Sequence, residues 1–162
     1  PGREPPPSGP AGVAAMPNPS TPTQNPDPAA CLRAAADAIT AAPSLALACH
    51  VTPDGDALGS MLALHHLALA NGKTVVSSWP EPFRAAACYR SLPGLDLAVP
   101  SSAFPTDPPC MLTFDCGSMR LLHELGTPAS KAAASGELIV LDLAVRAVER
   151  ALAADTHHEA GG

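Results

Sequence analysis

The sequence predicts an α/β protein: a Rossmann-like parallel sheet of about five strands with helices on both faces. Three observations predict it. Short runs such as LALAC (45–49), CMLTFDC (110–116) and ELIVLD (137–142) are almost wholly apolar, as strands buried on both sides require. Between the strands lie Ala- and Leu-rich segments at helical spacing, closed by Gly, Pro or Asn. Three of the apolar runs also lead within a few residues into acids, at the carboxyl edge where open parallel sheets gather ligands.

Residues 1–28 hold ten of the twenty prolines and have almost nothing to bury, so they are expected to be a disordered tail, with Met16 a candidate natural start. The tail lacks a basic n-region followed by an apolar h-region, so no signal peptide is expected. The folded domain is expected over 29–142. AACLRAAADAITAA (29–42) carries Leu32, Ala36 and Ile39 on one face after Asp27-Pro28, a helix start. LALAC is the first strand, and LGSMLALHHLALA (58–70) a helix stopped by Asn71-Gly72. KTVVSSW (73–79) is β-branched and predicts a strand, EPFRAAACYRSL (81–92) a helix, and LDLAV (95–99) a short strand. After a proline-studded loop come the strand 110–116, a helix over 118–126 closed by Gly126 and Pro128, and the strand 137–142. In the last segment, 143–162, an amphipathic helix is expected over 143–154, with Arg146, Glu149 and Arg150 opposite an apolar stripe.

A chain of 162 residues with 46% hydrophobic and 15% charged residues can bury one core, and with 3% aromatics that core must be Ala, Leu and Val. The formal charge of −6 leaves no strong electrostatic patch for nucleic acid, which needs clustered Lys and Arg, but it admits a phosphorylated substrate whose charge is met by bound cations. No apolar run approaches the ~18 residues of a membrane span. Five cysteines without a C-x-x-C pair predict a reduced, cytoplasmic protein, with Cys49 and Cys116 as small buried hydrophobes.

The strand ends carry the chemistry. His50, Asp54 and Asp56 follow the first strand in CHVTPDGD, Asp115 ends CMLTFD, and Asp142 ends ELIVLD. Carboxylates with an imidazole suit Mn²⁺ or Mg²⁺ rather than thiolate-seeking metals, and two such ions close together can drive phosphoester hydrolysis. Gly59 and Ser60 are expected at a helix N-terminus whose amides favour phosphate. An EF-hand loop from Asp54 would need a side-chain ligand at 58 and Glu at 65, where Leu58 and His65 stand. A D-x-D phosphotransferase loop would start at the strand end and leave His50 unexplained. A single Asp after a strand is ordinarily a cap or turn residue, so the weight falls on the set rather than on any member. His65, His66, His123, Trp79 and Tyr89 are expected to be packing or surface residues, and Ser118 a helix cap.

CHVTPDGDALGS together with FDCGS resembles the first two motifs of the DHH phosphoesterases, with a RecJ-like N-terminal domain, most similar to the oligoribonuclease/pAp-phosphatase (nanoRNase) branch. The resemblance covers roughly residues 30 to 142. It implies that His50 and Asp54 hold a first metal, Asp56 a second, and that Asp115 bridges both, making Asp56 and Asp115 the residues at the chemistry. It also implies hydrolysis of short oligoribonucleotides or of a phosphorylated nucleotide, 3′-phosphoadenosine 5′-phosphate.

Asp142 matches the Asp of the family's Asp-His-His motif, but Leu143 and Ala144 stand where its histidines would be. Asp155-Thr156-His157-His158 has different spacing. The family's substrate-binding C-terminal domain also has no counterpart in 143–162. The pattern's loss after Asp142 predicts a truncated or frameshifted chain with weakened hydrolysis. The alternative is a non-catalytic remnant that binds metal or nucleotide. An apolar face left bare by the missing domain predicts association, for instance as a homodimer.

Overall fold

A computed structural model describes residues 27–142. The Pro-rich tail up to 26, the helix expected over 143–154 and the pair Leu143 and Ala144 lie outside the described residues. The elements are α1 (Pro28–Ala41), β1 (Ser44–Cys49), α2 (Gly55–Ala70), β2 (Thr74–Ser78), β3 (Met111–Phe114), α3 (Gly126–Ser135) and β4 (Leu138–Leu141). The strands form one parallel sheet in the order β2-β1-β3-β4, with Ala46 aligned to Val76 on one side and Met111 on the other.

Alternation along the strands sorts the side chains into two cores. Leu45, Leu47, Cys49, Leu112 and Phe114 point to the face carrying α2, where Ala57, Leu58, Met61 and Ala68 meet them. Ala46, Ala48 and Met111 point to the other face, under Leu122, Leu125, Ala129 and Ala132. Helical segments therefore cover both faces, as the sequence predicts. α1 is capped by Asp27, whose side chain accepts from the Ala29 amide at 3.1 Å, yet it buries no residue fully. No helix among the described residues is long and apolar enough to cross a membrane.

Four expectations are corrected. The sheet has four strands rather than about five: 95–99 makes a 3₁₀ turn over Leu95–Leu97 and then a single sheet-edge bond, Val99 N to Ser77 O at 2.9 Å. Gly94 (φ 83) and Pro100 hem this segment in, leaving too few residues for a ladder. The helix expected over 81–92 is one 3₁₀ turn, Ala87–Tyr89. The amide of Arg84 bonds back to the Pro82 carbonyl at 2.7 Å and Ala86 is extended (φ −60, ψ 152), which breaks the helical path before Ala87. The amides of Glu81 and Phe83 bond to the side chains of Glu124 (2.8 Å) and Glu81 (2.7 Å). The helix expected at 118–126 is a 3₁₀ segment, Met119–Leu125, interrupted by His123 at φ 41, and Gly126 opens α3 instead of closing a helix. Pro128 is accommodated in the first turn of α3, where its missing amide costs no bond. Finally, α2 begins at Gly55 rather than at 58, because Asp54 caps it.

Candidate metal centre

β1 delivers His50 to the carboxyl edge of the sheet, and the chain then turns sharply. Val51 donates its amide to the Leu121 carbonyl at 2.9 Å. The Val51 carbonyl in turn lies 2.9 Å from His50 Nδ1 and accepts from the Thr52 hydroxyl at 2.7 Å. With a proton on Nδ1 donated to that carbonyl, the lone pair of His50 is on Nε2, the nitrogen that faces the acids. Thr52 holds φ 50, a left-handed conformation that a β-branched residue adopts only under constraint.

Asp54 has two roles. Its Oδ1 accepts from the amides of Asp56 (3.1 Å) and Ala57 (3.0 Å), capping α2, and lies 4.0 Å from His50 Nε2. Asp115 arrives from β3. Its amide continues the ladder to the Leu141 carbonyl at 3.0 Å, and its φ of 47 turns the chain out of the sheet. Asp115 Oδ2 stands 3.7 Å from His50 Nε2.

His50, Asp54 and Asp115 thus offer one nitrogen and two carboxylate oxygens, all within 4.8 Å of one another. The separations of 3.7 and 4.0 Å exceed a hydrogen bond, yet are spanned by one cation at roughly 2.1 Å from each atom. This donor set fits a hard or borderline divalent cation. Two thiols lie close to the acids and stay protonated. Burial, then Cys116 and the two acids, pushes Cys49 far above the ordinary thiol range. Burial likewise raises Cys116, whose thiol donates to the Ser118 carbonyl at 3.3 Å.

The remaining predicted residues are placed differently. Asp56 is exposed in the first turn of α2 and is not a member of the three-residue cluster. Asp142 is exposed at the end of β4, its Oδ2 3.5 Å from where a Cβ on Gly117 would stand, beside Asp115 but outside the cluster. Gly59 and Ser60 lie in the second turn of α2, where amides bond back to the preceding turn, so the helix-terminal amides expected there belong to the residues after Asp54 instead. Ser118 does cap its segment, accepting from the Arg120 amide at 3.3 Å. His65 is buried against Ser77, with Nδ1 2.6 Å from Oγ, while His66 is exposed. Sequence reasoning missed the Val51 carbonyl that orients His50 and the Leu121 carbonyl that accepts from the Val51 amide, since main-chain groups carry no residue-type signal. It also missed the approach of Tyr89 to Gly55, a contact between segments distant in the chain.

The fold and the cluster together define an α/β domain with a candidate cation site at the carboxyl edge of its sheet. No protein-family model matches the chain. Among solved structures it is similar to an exopolyphosphatase-related protein from Bacteroides fragilis, with a TM-score of 0.61 and 21% identity over 70% of this chain. The matched part is 34% of that protein, so the chain spans about a third of its length, and at this identity the likeness establishes the shared fold.

Proposed function

We propose that this chain carries part of the active site of a divalent-metal-dependent phosphoesterase. The observation that carries the reading is the convergence of His50, Asp54 and Asp115 from two adjacent strand ends. The exopolyphosphatase-related neighbour, which shares the fold, and the DHH-like motif support the same reaction class. A bound cation would supply positive charge to a phosphoryl group and acidify water. The chain's own residues hold and orient: the Val51 carbonyl fixes the His50 ring, and the α2 amides fix the Asp54 carboxylate. Short oligoribonucleotides or 3′-phosphoadenosine 5′-phosphate, with Mn²⁺, are the proposed substrates and metal.

A second reading is a binding module that holds one cation without turnover. Asp56 favours it by standing outside the cluster, so that three gathered ligands serve one ion rather than two.

The substitution Asp54→Asn tests the centre, because Asn caps a helix about as well as Asp while removing the charge. We expect Mn²⁺ to raise the melting temperature of the parent chain and to leave that of Asp54→Asn unchanged. An equal rise in both would overturn the assignment. Mn²⁺-dependent release of mononucleotide from a short oligoribonucleotide then separates enzyme from binding module.

A further inference from the structure

We propose that Tyr89 contacts the substrate at this site, its phenol donating a hydrogen bond to a phosphoryl oxygen held beside Asp54. This rests on the phosphoesterase reading. A Cβ on Gly55 would stand 2.9 Å from Tyr89 Cε1, 3.4 Å from Cζ and 3.5 Å from the hydroxyl oxygen. Gly55 is the first residue of α2 and lies between Asp54 and Asp56. It is not among the glycines with positive φ, so the backbone there does not need glycine; the approach of the ring does.

The end of the ring that makes this approach is the polar one. The residue is half-buried and packs with Phe83, Ala85, Leu92 and Leu95 against the apolar cluster. Phenylalanine would fill that space equally well. Tyrosine adds a hydroxyl 3.5 Å from where a Cβ on Gly55 would stand, at the residue between Asp54 and Asp56.

The side chains gathered at the sheet edge where His50, Asp54 and Asp115 meet are mainly acceptors. Helix-terminal amides are the ordinary partners of a phosphate, but the Asp54 side chain takes those of Asp56 and Ala57, and the Leu121 carbonyl takes that of Val51. Carboxylates only accept. A neutral phenol supplies a donor without a charge that would repel a cation.

The test uses the full 162-residue chain and 5′-AMP as probe. Calorimetry at saturating Mn²⁺ measures AMP affinity in the parent, Tyr89→Phe, Gly55→Ala and the double variant. We expect Tyr89→Phe to weaken AMP binding by about ten-fold or more, as for loss of a hydrogen bond to a charged group, with the Mn²⁺-induced rise in melting temperature unchanged. Gly55→Ala, which pushes the ring aside, should weaken AMP binding in the parent and have little further effect when combined with Tyr89→Phe, a non-additive cycle that a purely structural ring would not give. If Tyr89→Phe binds AMP within two-fold of the parent, the inference is overturned. If the parent binds Mn²⁺ but no AMP, the inference fails and the metal centre stands. If the parent binds no Mn²⁺, the phosphoesterase reading itself has failed.

Discussion

The inner strands β1 and β3 and the outer strand β4 of this sheet are built from similar apolar residues and end very differently. β1 is buried from Leu45 to Cys49 and β3 throughout, whereas β4 is only half-covered, with Val140 53% exposed. The inner strands are also the ones that lead into a non-glycine residue with left-handed φ, Thr52 just beyond β1 and Asp115 directly after β3. Each such residue costs of order 1–3 kcal/mol and persists only where its surroundings over-determine it. A fully paired, fully buried strand provides that support. The three gathered ligands all follow inner strands, while Asp142 at the end of β4 stays outside them. The rigidity of the core and the position of the site are therefore one property.

The largest expected effect tests the rigidity directly. Leu47 is 0% exposed and central in β1, so Leu47→Ala should cost about 2–5 kcal/mol through lost burial and the cavity left behind. Urea unfolding measures it, and a loss below about 1 kcal/mol would remove the distinction between inner and outer strands.

A smaller effect is expected where the strain is held. Thr52→Gly relieves the left-handed φ, but it gives up the hydroxyl bond to the Val51 carbonyl and adds chain entropy to the unfolded state. The relief outweighs the losses by a small margin, and we expect a stability gain of up to about 1 kcal/mol. Mn²⁺ affinity should fall at the same time, because the carbonyl that orients His50 is no longer held by its neighbour. A variant both more stable and tighter for Mn²⁺ would show that the strain has no part in positioning the ligands.

How much of this was legible in the sequence follows the same division. The four strands were readable because three are short apolar runs and β2 is β-branched, and the helical cover on both faces followed from them. The regions read wrongly are those where side chains and turns take over main-chain bonding. Arg84 bonds back to the Pro82 carbonyl and Ala86 is extended where a helix over 81–92 was expected, and Gly94 and Pro100 shorten 95–99. The set His50, Asp54, Asp56, Asp115 and Asp142 was legible as a group because strand ends in a parallel sheet share one edge. Which three gather was not legible, because it depends on φ at Thr52 and Asp115 and on Asp54 capping α2 three residues earlier than the apolar pattern suggests.

β2 shows that an outer strand need not be loosely held throughout. Its last two residues, Ser77 and Ser78, are fully buried, and Ser77 bonds to the buried His65. Burial, and then the neighbouring His66, holds the His65 pKa below its ordinary 6.5. The unfolded chain therefore takes up a proton here before the folded one does. The contribution to stability is complete above pH 6.5 and is lost as pH falls below it toward the folded-state value. We expect the parent to lose more stability between pH 7.5 and 5.5 than His65→Gln, measured as the difference between their urea midpoints at each pH. Identical pH dependence in the two would mean that the Ser77 end of β2 is open to protonation and held no more tightly than β4.

The smallest effect is expected at the most exposed outer position. Val140 lies in register with the buried Thr113 of β3, and a hydroxyl in place of one of its methyl groups faces solvent rather than core. Val140→Thr keeps the β-branch that suits a strand and should change stability by less than about 0.5 kcal/mol. The reverse experiment on the inner partner, Thr113→Val, changes the same atoms at 2% exposure and should move stability more, in either direction. A loss above about 1 kcal/mol for Val140→Thr would mean that this face of β4 is covered in the intact protein. The contrast would then be between strands covered within residues 27–142 and a strand covered from outside them.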